Sequence, residues 1–191
     1  MNQLTSGFDF NGYLLQEQIG KGSSAEVWRV MSTKNDKNYA LKIYTPSNSF
    51  DDAEKEIFRE EFEKSLGLRH PNILHPIEYG VFDNNPYIVM PLAIASLMSD
   101  LQQRMMERKI ANTNYLNLYS EEELAQIIND VSNALKFLGT NGIIHRDIKP
   151  DNVLIFDFNG RNFYCITDFG VSDSIRKTIQ RHAPNPSTGR G

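Results

Sequence analysis

The octapeptide His145-Arg146-Asp147-Ile148-Lys149-Pro150-Asp151-Asn152 and, sixteen residues after its last member, the triplet Asp168-Phe169-Gly170 hold the side chains best suited to act together. Asp147 is a candidate proton acceptor and Lys149 a compact positive charge. Asn152 and Asp168 offer hard oxygen atoms of the kind magnesium takes. That set, in that order, is what moving a phosphoryl group requires, because the reaction asks a protein for positioning and charge placement more than for covalent chemistry. Taken singly the parts are bland. Asp168-Phe169-Gly170 is also an ordinary exit from strand to turn, and His145 reads as a brace with no chemical role.

A second candidate lies near the start, in Gly20-Lys21-Gly22-Ser23-Ser24-Ala25. A dinucleotide-binding fingerprint needs a helix directly after such a loop, whereas Glu26 to Met31 reads as a strand. A Walker A loop needs glycine where Leu15 stands and Ser or Thr where Gly22 stands. A hairpin remains, either a plain turn or one whose small residues let backbone amides close over phosphate oxygens.

The elements that must position these residues follow from periodicity. Tyr13–Ile19, Glu26–Met31 and Tyr39–Tyr44 read as three antiparallel strands. From Asp51 the pattern turns helical, with Ile57, Phe58, Phe62 and Leu66 at helix spacing, and His70-Pro71-Asn72 ends it. The apolar runs Ile73–Tyr79 and Tyr87–Met90 predict two more strands, which makes five. Ser96–Lys109 reads as a short helix and Ile110–Tyr119 as a polar connector. Ser120 and Glu123 form a capping box for a helix with Leu124, Ile127, Ile128, Val131, Leu135 and Leu138 along one stripe, ending near Asn141-Gly142. That stripe must meet an apolar partner. The last residues, from His182, carry no periodicity.

The chain has 191 residues, 40% of them hydrophobic, enough for one large domain or two small lobes. A net charge of -4 gives no basic footprint for nucleic acid. The longest apolar run, Tyr87–Ala95, is broken by Pro91 and too short for a membrane span. A single cysteine, Cys165, excludes an internal disulfide framework and reads as a small buried hydrophobe. These features predict a soluble, cytoplasmic chain in a reducing compartment.

The octapeptide, the triplet, the glycine-rich loop and Ala40-Leu41-Lys42-Ile43 together resemble the eukaryotic-type protein kinases. Lys149, two residues after Asp147, resembles their serine/threonine branch. The resemblance implies an α+β, bilobal fold, with a five-stranded antiparallel N-lobe sheet and one main helix above a mainly helical C-lobe. It divides the chain into an N-terminal extension (1–12), an N-lobe (13–92), the first part of a C-lobe with the catalytic loop (93–170) and a partial activation segment (171–191). ATP and Mg²⁺ are the implied cofactors, and a protein with a Ser/Thr hydroxyl the implied substrate.

Carried over residue by residue, the resemblance makes Asp147 the acceptor of the substrate proton and Lys149 the stabiliser of the transferring phosphate. Asn152 and Asp168 become the metal ligands. Ile19, Gly20, Gly22 and Ala25 cover the nucleotide, and Lys42 pairs with its phosphates. Val27, Ala40, Met90 and Leu154 form the adenine slot, and the backbone of Pro91 to Ala93 the hinge. Lys42 needs an anion from the following helix. Glu61 stands nine residues before His70, the family's register, and at about 100° per residue it borders the apolar face, as Glu54 also does.

Only 21 residues follow Gly170. A complete member of that family continues further, so the expectation is a fragment whose missing C-lobe, or a partner chain, covers the apolar stripe. Two other readings share the features: a nucleotide-binding, pseudokinase-like regulatory module, and an interaction scaffold that transfers nothing.

Overall fold

The computed structural model describes residues 4–22, 25–45, 52–110, 118–168 and 173–174, without the side chains of residues 52–54, 57, 61, 110, 173 and 174. β2 (Tyr13–Lys21), β3 (Ala25–Ser32) and β4 (Asn38–Tyr44) pair in sequence as antiparallel neighbours and bury Leu15, Trp28, Val30, Leu41 and Ile43 in one cluster. β5 (Glu78–Phe82) and β6 (Asn85–Pro91) form a hairpin closed by Asp83 and Asn84, both at positive φ as a two-residue hairpin turn demands. β6 then pairs with β4.

The sheet has six strands where five were expected, in the order β1-β2-β3-β4-β6-β5. The addition is β1 (Asp9–Phe10), two residues long, folded back on β2 through a turn at Asn11-Gly12 with both φ positive. The run from Ile73 is not a strand until Glu78. Leu74 instead donates its N–H to the Ile166 carbonyl at 2.9 Å, and Ile73 bridges Ile166 in parallel, so these residues tie the two lobes together.

The curled sheet brings its edges β1 and β5 face to face, and side chains close the gap. Phe10 packs edge-on against Phe82 and Tyr87 at 4.9 and 5.6 Å between centroids. Asn11 Nδ2 donates to Tyr87 Oη at 2.7 Å, while Tyr87 and Tyr13 both donate to the Glu78 carboxylate, at 3.0 and 3.1 Å. Burial and the adjacent Glu78 push the Tyr13 hydroxyl up to about 12. With Leu15, Trp28, Val30, Leu41, Ile43 and Val89 this seam forms the core on one side of the sheet. On the other side, α1 (Asp52–Leu66) packs Phe58 and Phe62 against Tyr44, Ile88 and Tyr79.

Below the sheet, β7 (Ala95–Ser96) leads into α2 (Leu97–Ile110), and the capping box at Ser120 opens α3 (Glu121–Thr140) as expected. Glu123 N–H donates to Ser120 Oγ at 3.1 Å, and Ser120 N–H to Glu123 Oε2 at 2.8 Å. Arg104 of α2 adds bonds to Asp100, the Leu118 carbonyl and both oxygens of Glu123, and it lies over the Tyr119 ring. The predicted stripe on α3 splits. Ile127, Val131, Ala134 and Leu138 face the core around β9 (Val153–Phe158) and β10 (Arg161–Ile166), whereas Leu124, Ile128 and Leu135 are 46, 65 and 39% exposed. A buried aspartate, Asp130, sits at the centre of the inward face and accepts the Tyr164 N–H at 3.0 Å. β8 (Ile143–Ile144) pairs with β11 (Asp173–Ser174), and the β9-β10 hairpin with β7 forms a three-stranded sheet.

Candidate active site

The β4 ladder decides which side chains share a face. Its register sets Lys42 across from Val27 on one side and Ile88 on the other, and Ala40 across from Met90. Residues directly opposite one another point the same way. Val27, Ala40, Lys42, Ile88 and Met90 therefore line one surface of the sheet, the surface that α1 partly covers. Pro91 ends β6. The chain then runs through Leu92 and Ala93 to Ile94, whose N–H bonds the Ile155 carbonyl of β9 at 2.9 Å. Leu154 belongs to the lower sheet, across from Ser96.

The glycine-rich loop is a hairpin between β2 and β3. Gly20 stands across from Val27 and Lys21 across from Glu26, with an ion pair of 3.1 Å between the latter two. Gly22 N–H donates to the Ala25 carbonyl at 2.8 Å. Ser23 and Ser24 lie outside the described residues. Ile19, before the loop, is 48% exposed.

Lys42 extends from β4 toward the lower lobe. Its Nζ lies 3.4 Å from Asp168 Oδ1 and 5.7 Å from the centroid of the Phe58 ring. The position of Glu61 falls in α1, but its side chain, like that of Glu54, lies outside the described set, as do Phe169 and Gly170. A cavity of about 20 Å³ behind Asp168 is lined by Ser65, Leu74, Pro76, Ile88, Met90 and Thr167, several of which carry no sequence signal of their own.

The octapeptide is wired to the end of β10. A carbonyl oxygen only accepts, so His145 must carry its proton on Nε2 to bond the Thr167 carbonyl at 2.9 Å. Its Nδ1 is then left to accept the Asp147 N–H, at 3.4 Å. Burial holds this imidazole below its ordinary range, which favours that neutral form. On either side of the link, Arg146 and Asp168 adopt φ values of 69° and 70°, a left-handed conformation uncommon in residues with a Cβ. Thr167 N–H also bonds the Asn152 carbonyl, at 3.0 Å.

Asp147 Oδ2 takes two donors, Lys149 Nζ at 2.7 Å and Asn152 Nδ2 at 2.9 Å. Asn152 Nδ2 also bonds the Asp147 carbonyl at 2.8 Å. Lys149 holds the Asp147 carboxyl below its usual range, Asn152 adding to the effect, and the carboxylate in turn raises Lys149. Because its amide nitrogen is committed to Asp147, Asn152 keeps its Oδ1 for another partner. Asn152 Oδ1 and the Asp168 carboxylate are hard oxygens, joined through one residue, and they suit a small divalent cation that keeps some of its waters.

A family model described as the protein kinase domain matches residues 13–187. The chain is 32% identical over 177 residues to a MAP kinase-interacting serine/threonine-protein kinase 1 from Xenopus tropicalis, covering 92% of this chain and 39% of that protein. It is 27% identical over 180 residues to the probable serine/threonine-protein kinase fhkE of Dictyostelium discoideum, 91% of this chain and 23% of that one. A double mutant of the PknI kinase domain from Mycobacterium tuberculosis superposes with a TM-score of 0.67 at 26% identity, over 87% of this chain and 64% of the other. The chain thus spans about a quarter to two fifths of the length of these curated relatives.

Proposed function

From the premise that this chain belongs to the protein kinase family, we propose that it transfers the γ-phosphate of ATP, with Mg²⁺, to serine or threonine hydroxyls of protein substrates. The observation that carries the reading is the doubly held Asp147. Lys149 and Asn152 fix its Oδ2 and lower its proton affinity, so at neutral pH it is an oriented carboxylate able to take a hydroxyl proton. In this reading Lys149 stabilises the moving phosphate. Asn152 Oδ1 and Asp168 hold the metal, which neutralises phosphate charge when bound. Lys42, directed at Asp168 from the upper lobe, serves the nucleotide phosphates, and Glu61 is assigned as its helix partner.

Gly20, Gly22 and Ala25 cover the triphosphate, Ile19, Val27, Ala40, Met90 and Leu154 enclose the adenine, and the backbone of Pro91 to Ala93 reads its edge. The serine/threonine preference rests on Lys149 and on the relatives' names. No described helix is long and apolar enough to cross a membrane. The single buried thiol, Cys165, suits a reducing compartment, and we place the chain in the cytoplasm.

The test is phosphate incorporation from labelled ATP into a degenerate serine/threonine peptide library, with Asp147→Asn and Lys42→Met. Loss of a positioned base should lower the rate by about 10²–10⁴-fold. Equal incorporation by wild type and Asp147→Asn would refute the assignment of the base. Magnesium-dependent ATP binding with no transfer by the wild type would favour the nucleotide-binding module. No binding would favour the scaffold.

A further inference from the structure

A cavity of about 340 Å³ opens along the outer edge of β10, between α3 and the Pro71-Asn72 loop, and shares no residue with the cluster around Asp147 and Asp168. β10 is an edge strand of its sheet. At Tyr164 and Ile166 its outward main-chain groups are already occupied. Asp130 and Asn72 take the Tyr164 N–H and carbonyl, and Asn72 O and Leu74 N–H take those of Ile166. Strand residues two apart present their amide and carbonyl to the same side. Asn162 therefore turns its N–H and C=O outward too, and among the described residues neither finds a partner. The edge is capped over two of its three outward positions and open at the third, where the cavity lies.

The lining tells what would fit. Pro71, Phe163 and Phe158 give it apolar walls, and Phe158 is 71% exposed, the most exposed of the large hydrophobic side chains described. Arg161 is the cation at the rim and donates to Gln126 Oε1 at 3.3 Å. The acid of the lining and the acid of the hairpin are turned to internal duties. Asp130 is 4% exposed and accepts from Gln126, Asn129 and Tyr164, while Asp157 accepts the Gly160 N–H in the hairpin turn.

We propose that this edge docks an extended segment of a partner protein that pairs its main chain with Asn162, places an apolar side chain between Pro71 and Phe163, and sets a carboxylate against Arg161. Strand addition supplies the main-chain bonds and the pocket with its cation supplies the selectivity. The site is separate from the one where phosphate would be transferred, so it would raise the local concentration of a tethered partner without touching the chemistry.

The test uses the whole chain and a fluorescein-labelled peptide, Asp-Thr-Leu-Thr-Asp-amide, which presents its leucine and both carboxylates on one face when extended, followed by anisotropy. Saturable binding is expected. Arg161→Glu should weaken it about tenfold by turning attraction into repulsion. Asn162→Pro removes one outward N–H from an edge strand, where proline is tolerated, and should weaken it about fivefold, the worth of one net hydrogen bond. The lysine analogue of the peptide should bind Arg161→Glu better than wild type. Both variants should keep the wild-type thermal shift with Mg-ATP, which excludes a folding defect. The proposal fails if the peptide does not bind, if both variants bind it unchanged, or if amide shifts appear at Lys42 and Asp168 rather than at Arg161 to Phe163.

Discussion

Replacing Asp130 should reveal how much one buried carboxylate contributes to the lower lobe. Its side chain lies between α3 and β10, 4% exposed, and accepts Gln126 Nε2 at 2.8 Å, Asn129 Nδ2 at 3.3 Å and the Tyr164 N–H at 3.0 Å. In Asp130→Ala the two amide side chains can turn to water. The Tyr164 N–H cannot, because Tyr164 is itself 2% exposed. An unpaired buried donor costs about 1–3 kcal/mol, and a hydrogen bond to a charged acceptor contributes about 1.5–3 kcal/mol. Counting the shared interaction once gives a loss of about 3 kcal/mol. For a chain of this size that is a fall in Tm of roughly 6–12 °C, at about 2–4 °C per kcal/mol. Asp130→Asn keeps an acceptor for Tyr164 and should lose only about 1 kcal/mol. Urea unfolding followed by far-UV circular dichroism measures both. An alanine variant within about 0.5 kcal/mol of wild type, the range of a neutral surface change, would refute the reasoning, as would alanine and asparagine variants of equal stability.

Other outcomes are expected with equal definiteness. Gly80→Ala places a Cβ 2.4 Å from the Tyr87 ring and its hydroxyl, so the seam must shift; a clear drop in Tm is expected, and Tyr87→Leu in the same background should restore part of it. Ser120→Ala removes the N-cap bond and should destabilise by about 1 kcal/mol in chemical denaturation. Glu123 is held below its ordinary range chiefly by Arg104, then by the Ser120 N–H. A carboxylate depressed on folding contributes stability above its unfolded pKa and loses it as pH falls through the folded value, so the stability gap between wild type and Glu123→Gln should close in acid; a gap that widens on acidification would contradict the assignment. Burial pushes the Cys165 thiol up to about 12, so a disulfide reagent at pH 8 should label it at the rate of unfolding, and labelling at the rate of a free thiol would show that the β10 strand is open.

Much of this fold could be read locally. β2 to β4 lie where apolar runs separated by glycine-rich and polar turns put them, and the capping box at Ser120 needs only two residues three apart. What escaped was long-range. β1 is two residues long and exists because Phe10 finds Phe82 and Tyr87, more than seventy positions away. Ile73 and Leu74 look like strand residues, yet their partner is Ile166, and the prolines at positions 71 and 76 confine them to a short bridge. On α3 only half of the apolar stripe, Ile127, Val131 and Leu138, faces inward, because the inward face is centred on Asp130 and Ala134, an acid and the smallest apolar side chain, which weigh little in any hydrophobic count. At the site, residue types and spacing marked Asp147, Lys149 and Asn152, which the structure brings into hydrogen-bond contact. The reach of Lys42 to Asp168 depends on two lobes meeting, and the clamp of His145 on Thr167 joins two segments of the lower lobe 22 positions apart; no periodicity records either.

The seam between Phe10, Asn11 and Tyr13 on one edge and Glu78, Phe82 and Tyr87 on the other has a practical consequence for anyone who trims this gene. A recombinant version begun at Tyr13, where the family match starts, would retain every strand of the surface that carries Lys42 but discard the ring and the amide that seal the far side. It would uncover Phe82 and the Tyr87 hydroxyl along an unprotected strand border, a surface prone to self-association. The sensible place to cut is before Leu4, whose side chain packs against the same cluster.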